Sequence, residues 1–408
     1  MKLLIKISSL LKLKVQIFMT LNFLWITSSC DCGESISGKD DGEIEIKGDS
    51  IDNFIEIAES KDEEFIDEDV QYIDSTEQYL EVDDLIDGTE NADEIEITPS
   101  IFTCKDNPPP GSQMPDPLPV YSGDCPELVA GMNTILSSGS TRSFMLAFPS
   151  TLVSDEKLPV VFLWHWLGGS AEDFMEKGQI QDAVDTFRFL AIAPEAKGDL
   201  LMKWPFLIVD STRRMEEEAR FFDDILACVA EQFNVNNSCV SSVGVSAGAL
   251  WTCQLAQLRA KRLSSFLSLS GGVGMSGDYL NPVRPWSGAE HVMPAIVLWG
   301  GPMDFCGLSF ATTSSYLESG LVAGGHFFVE CIHNCAHAEP PMDPPPGESN
   351  YSSLWRFIMD HPYWLEDGDS PYLITGLPDI FPQWCGIGPG SATIRTGECE
   401  SGPLGDCL

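Results

Sequence analysis

Gly244-Val245-Ser246-Ala247-Gly248 places a serine between two glycines, with an apolar run before it and a helical pattern after it. A serine in this setting is a nucleophile held on a sharp strand-to-helix turn, the G-x-S-x-G elbow. Side chains at the first and last positions would collide with neighbouring backbone, and glycine avoids this. The turn lifts the Ser246 hydroxyl above the sheet. The backbone N–H of Ala247, at the helix start, points to where an oxyanion would form.

Such a serine needs a general base within hydrogen-bond reach. The chain has six histidines. His337 sits in a loop that the prolines at 340 and 341 keep from continuing as strand or starting a helix. It follows the last expected strand, so it is the expected base, with His333 as the alternative. His326 opens that strand and is at its wrong end. The acid should follow a strand between nucleophile and base. Ala295 to Trp299 is that strand, and Asp304 closes the turn after it. It would hold the imidazole tautomer and stabilise the imidazolium. The strand ending at Trp164 runs into His165-Trp166-Leu167-Gly168-Gly169-Ser170. A glycine-rich turn here supplies a second oxyanion N–H, from Leu167 or Trp166, with His165 orienting the loop. Trp166 and Trp204 are candidate substrate contacts, whereas Trp164, Trp251 and Trp299 read as core. A rival reading makes Cys331, His333, Cys335 and His337 zinc ligands. Along a strand these span roughly 20 Å, too far for metal–ligand distances near ~2.0–2.3 Å. The expectation is no metal and no cofactor.

The elements that must position these residues alternate in type. Leu158 to Trp164 is unbroken apolar, the pattern of a strand buried on both faces. Phe144 to Phe148, Phe189 to Ile192, Cys239 to Val245, Phe266 to Leu269 and His326 to Ile332 are further strands. Met215, Ala219, Phe222, Leu226, Val229 and Phe233 recur on one helix face. Ala249 to Arg262 and Ser353 to Met359 are two more helices. Strands separated by helices predict an α/β fold with a mostly parallel sheet covered on both faces.

Composition bounds the setting. The chain has 408 residues and a formal net charge of -39. Residues 1–30 hold four lysines and no acid, whereas residues 31–100 hold 26 acids and three lysines. A binder of nucleic-acid backbone needs the opposite sign. Lys2, Lys6, Lys12 and Lys14 precede a twelve-residue apolar stretch, Val15 to Ile26, too short for a span. Thr27-Ser28-Ser29-Cys30 then resembles a bacterial lipobox, with Cys30 the lipidation site and Thr27 in place of the usual leucine. An ordinary cleaved signal peptide is the alternative. The expected location is periplasmic, on the cell surface of a bacterium, or secreted. Thirteen cysteines fit a disulfide-forming compartment, and the twelve beyond Cys30 allow six pairs. The expected organisation is a signal segment at 1–30, a disordered acidic tether at 31–100 and a Pro-rich connector at 101–120. A catalytic domain at 121–366 and an irregular, cysteine-pinned tail at 367–408 complete it.

Together these pieces resemble the secreted serine esterases of the α/β-hydrolase fold, the family of polyhydroxybutyrate depolymerases and feruloyl and acetylxylan esterases. The resemblance runs from about Pro119 to Pro382. The family's H-G-x-G-G is His165 to Gly169, and its H-G-x-x-D is Gly300 to Asp304. Its C-G-H-x-x-P-P is Cys335 to Pro341. Three positions depart from it. Trp166 stands for a glycine in the oxyanion turn, Gly300 for a histidine, and Ala336 for a glycine, which is tolerated if φ stays below zero. The resemblance implies hydrolysis of carboxylic esters, on a polyester or a plant cell-wall polysaccharide ester. A monomer without nucleic-acid partners is the separate expectation. Its only membrane contact would be the lipid anchor. The other readings are a surface-binding protein on an impaired hydrolase fold, and a peptidase or thioesterase with the same triad.

Overall fold

The computed structural model describes residues 102–400. The export segment, the acidic tether and Cys30 lie outside the described residues. One nine-stranded sheet organises the rest. Its strands are β1 (Gly131–Ser137), β2 (Ser140–Ala147), β3 (Leu158–Trp164), β4 (Leu190–Pro194), β5 (Val235–Val245), β6 (Ser265–Leu269), β7 (Ala295–Trp299), β8 (Phe328–Ile332) and β9 (Cys385–Ile387). The helices are α1 (Ala171–Lys177), α2 (Ile180–Phe187), α3 (Thr212–Gln232), α4 (Ala247–Leu258), α5 (Phe310–Ala323), α6 (Ser352–Met359) and α7 (Tyr372–Thr375).

The strand order is β1-β2-β4-β3-β5-β6-β7-β8-β9. From β4 through β8 neighbouring strands are parallel. The antiparallel edges are β1 and β2 on one side and β9 on the other. Every residue of β3 is buried. Because strand side chains alternate between faces, Val160, Phe162 and Trp164 enter one core and Val161 and Leu163 the other. The first core packs against α3, α4 and α5, the second against α1, α2 and α6. The unbroken apolar run in β3 is thus the signature of a sheet covered on both faces.

Several details differ from expectation. β1 was not anticipated, because its alternating pattern buries only one face. β5 starts at Val235, four residues before Cys239, across a register irregularity against β3. α4 begins at Ala247 and ends at Leu258, where Arg259 leaves the helical region before a short 3-10 turn, Ala260–Arg262. The tail is not wholly irregular: it contributes α7 and the edge strand β9, which pairs with β8.

The Pro-rich segment lies along the domain from Cys104 onward. The Cys104–Cys239 bridge, the Asp116 N–H bond to Lys261 O (2.8 Å) and the Arg262 Nη1 bond to Pro117 O (2.5 Å) hold it there. Cys125–Cys228, Cys331–Cys385 and Cys335–Cys399 are further bridges, and Cys306 is disulfide-bonded as well. Pairing of all twelve cysteines does not hold. Cys253 is a free, buried thiol on α4, where burial pushes its pKa up to about 11. These bridges belong to an oxidising compartment. No helix among the described residues is long and apolar enough to cross a membrane.

Candidate active site

β5 ends at Val245, and α4 starts two residues later. Ser246 fills the turn at φ 53° and ψ -118°, a strained conformation for a non-glycine residue. Its N–H is bonded to Leu269 O on β6 at 2.9 Å. A Cβ at Gly244 would lie 2.2 Å from Gly248 O, and one at Gly248 would lie 1.9 Å from Trp164 O. Both glycines are therefore required by contact between backbones. Leu269 O and the tightly packed α4 hold the strained serine in place.

Asp304 and His337 arrive from the ends of β7 and β8. His337 Nε2 lies 2.9 Å from Ser246 Oγ, and His337 Nδ1 lies 2.7 Å from Asp304 Oδ1. Asp304 Oδ2 accepts from Gly300 N–H at 2.7 Å and from the Ser270 hydroxyl at 2.8 Å. Phe310, the first residue of α5, stacks on the His337 ring at 4.2 Å between centroids. Serine, imidazole and carboxylate thus form one continuous hydrogen-bonded chain. The orientation of the imidazole follows from it, since a carboxylate only accepts: Nδ1 carries the proton and Nε2 accepts from Ser246.

Two backbone features make room for this chain. A Cβ at Gly300 would lie 1.8 Å from Ala336 O, so a histidine there has no space. Ala336 itself sits at φ 55° rather than in the negative range expected of it. The left-handed conformation costs about 1–2 kcal/mol for an alanine. The Ala336 N–H bond to Gly300 O (3.1 Å) and the adjacent Cys335–Cys399 bridge hold it in that conformation.

His333 is buried away from the serine. Burial pushes its pKa down to about 4, and its Nδ1 accepts the Cys335 N–H at 3.2 Å. Cys331 and Cys335 are both consumed in disulfides, so the zinc reading loses its two thiolates.

Trp166, Leu167, Gly168 and Ala247 line, with Ser246 and His337, a cleft of about 220 Å³. The Trp166 ring is laid over Gly169, where a Cβ would come within 2.5 Å of it. Phe174 packs beside the ring, and Lys177 Nζ lies 5.0 Å from its centroid. The indole is a wall of the cleft that Ser246 also lines. Further in, Phe174, Leu250, Leu354 and Trp355 make the cleft mostly apolar.

Trp204 does not contact this space. It is fully buried, and its Nε1–H donates to His165 O at 2.8 Å. His165 Nδ1–H in turn donates to Trp166 O at 2.8 Å. Trp204 therefore supports the turn from below, because its indole is large enough to fill the core beside Trp164 while its one donor reaches the backbone. Trp204→Phe is expected to cost about 1–2 kcal/mol through the lost bond. Urea unfolding measures this; unchanged stability with a raised KM would mark Trp204 as a substrate contact instead.

Ser270 and Phe310 were not anticipated. Ser270 carried a positional signal, being the first residue past β6 as Asp304 lies past β7. Phe310 carried none, since its stacking arises only from the packing of α5.

No family model matches the chain. It is similar to feruloyl esterase D of Neurospora crassa, 23% identical over 165 residues, which is 38% of this chain and 57% of that protein. The match thus spans little more than half of that relative. The crystal structure of native pOPH superposes with a TM-score of 0.53 at 15% identity, covering 67% of this chain and 99% of that one. Native sOPH gives 0.50 at 18%, covering 65% and 97%. The chain has the α/β-hydrolase fold. In this fold the turns that carry Ser246 and Asp304 and the loop that carries His337 all lie at the carboxyl ends of the parallel strands. That is where open α/β sheets place their ligands.

Proposed function

We propose that this α/β-hydrolase is a serine esterase acting through an acyl-enzyme. The observation that carries the reading is the hydrogen-bonded chain Ser246–His337–Asp304 opening on an apolar cleft. Ser246 Oγ attacks the ester carbonyl while His337 Nε2 takes its proton. The N–H groups of Ala247 and Leu167 receive the oxyanion. His337 then protonates the leaving alcohol, and water, activated by the same nitrogen, clears the acyl group from Ser246. Asp304 keeps the imidazole oriented throughout. No metal or organic cofactor enters these steps.

The similarity to a feruloyl esterase and the aromatic walls Trp166 and Trp355 favour an apolar or aromatic ester within a polyester or plant cell-wall polysaccharide. Disulfides favour an exported protein, here read as a bacterial lipoprotein acylated at Cys30 or a secreted monomer. A cleft lined by Ser246 and His337 as well as Trp166 favours an enzyme over a binding protein. Peptidase and thioesterase chemistry would use the same groups.

The test uses the full-length, disulfide-intact chain. Hydrolysis of short-chain p-nitrophenyl esters and labelling by a fluorophosphonate are expected, both lost in Ser246→Ala. Parallel thioester and amide substrates separate the related chemistries. Folded wild-type protein that neither turns over esters nor takes the label would sink the proposal.

A further inference from the structure

The two oxygens of Asp304 have different partners. Oδ1 faces His337, whereas Oδ2 takes two donors, Gly300 N–H and the Ser270 hydroxyl. Ser270 is delivered by β6, the strand between the nucleophile's strand and the acid's strand. It is buried, and it lines the same cleft as Ser246. Its N–H is bonded to Leu298 O at 2.6 Å, and it sits at φ 48° in the left-handed region. A non-glycine residue there is held against its own preference, and such strain gathers at functional sites.

From this juxtaposition we infer that Ser270 is a positioning residue of the site, acting on His337 through Asp304. The inference rests on the esterase reading above. Because a carboxylate only accepts, the Ser270 proton must point at Oδ2. This fixes the rotation of the carboxyl group, so that Oδ1 stays in line with His337 Nδ1. It also draws charge toward Oδ2. Without the hydroxyl, a buried carboxylate keeps one donor on Oδ2 and pulls harder on the Nδ1 proton. The balance of charge between Asp304 and His337 then changes, and with it the response of catalysis to pH. Among the described residues, two titratable groups face Asp304: His337 and, further off, His333. Burial keeps His333 neutral, with a pKa of about 4, so it does not titrate near neutrality.

The experiment compares full-length wild type, Ser270→Ala and Ser270→Gly on p-nitrophenyl butyrate across pH. In both variants kcat is expected to fall roughly 10- to 100-fold, the range of one hydrogen bond to a charged group, with KM within about twofold. The acid limb of kcat/KM moves from its wild-type position. The glycine variant separates chemistry from backbone, since glycine takes φ 48° freely. If only the strained backbone mattered, glycine would retain wild-type kcat and the wild-type limb. That result overturns the inference, as does an unmoved limb with unchanged kcat in both variants. Should the alanine variant fail to fold, the glycine variant carries the test. Wild-type protein without turnover overturns the esterase reading and this inference together. Active wild type with unaffected variants overturns this inference alone.

Discussion

On the proposed esterase reading, Asp304→Asn is expected to lower kcat/KM for ester hydrolysis by about 10³- to 10⁴-fold, with the fold and stability nearly intact. The reason is the set of donors already in place. Oδ2 accepts from Gly300 N–H and from the Ser270 hydroxyl, so the amide oxygen of an asparagine must occupy that side. Its NH₂ group then faces His337 Nδ1, which sits 2.7 Å from the native Oδ1. An NH₂ only donates, so Nδ1 becomes the acceptor and Nε2 takes the proton. The nitrogen facing Ser246 then cannot accept the hydroxyl proton. Steady-state kinetics beside thermal melting check this. A loss of less than about tenfold, with melting unchanged, would mean that His337 does not depend on Asp304 for its tautomer.

Glu318→Gln removes a pH dependence of stability worth about 3 kcal/mol. Glu318 lies on α5, buried, and a hydrogen bond from the Trp299 side chain lowers its carboxyl too little to offset that burial. Burial first, and Glu330 on the adjacent β8 second, push its carboxyl from an ordinary 4.5 up to about 7. The native state therefore binds this proton more tightly than the unfolded chain does. The stabilisation is fully present below about pH 4.5 and is lost as pH rises to about 7. Three buried histidines act in the opposite direction. His291, His333 and His361 are each lowered to about 4, so their stabilisation is lost as pH falls from 6.5 toward 4. The difference between wild type and variant isolates Glu318. Urea unfolding at pH 5 and pH 8 should show the gap widening in favour of glutamine at the higher pH. Parallel stability curves would show that Glu318 is ionised at no cost in the folded protein.

The sequence by itself determined the chemistry-bearing segments of this protein, since local backbone geometry dictates their composition. Gly244 and Gly248 are demanded by contacts of about 2 Å with neighbouring backbone, so the elbow is written in residue types. The unbroken apolar runs of β3 and β7 report burial on both faces, and Asp304 and His337 follow from their places past strand ends. What the tertiary structure decided depends on contacts between segments far apart in the chain. Ser270 meets Asp304 across 34 residues, and Phe310 covers His337 only because α5 packs over β7. Trp204 looked like a substrate contact because an aromatic near motif segments has the same letter whether it faces solvent or core. Its burial against Trp164 assigned it to the core. Ala336 was expected at negative φ because alanine prefers it. The bridge beside it and the close passage of Gly300 override that preference by an amount no local pattern records. Cysteine parity likewise allowed six pairs, yet Cys253 is buried on α4 as a free thiol, where no second thiol among the described residues reaches it. Pairing is decided by distance in space, and spacing along the chain does not contain it.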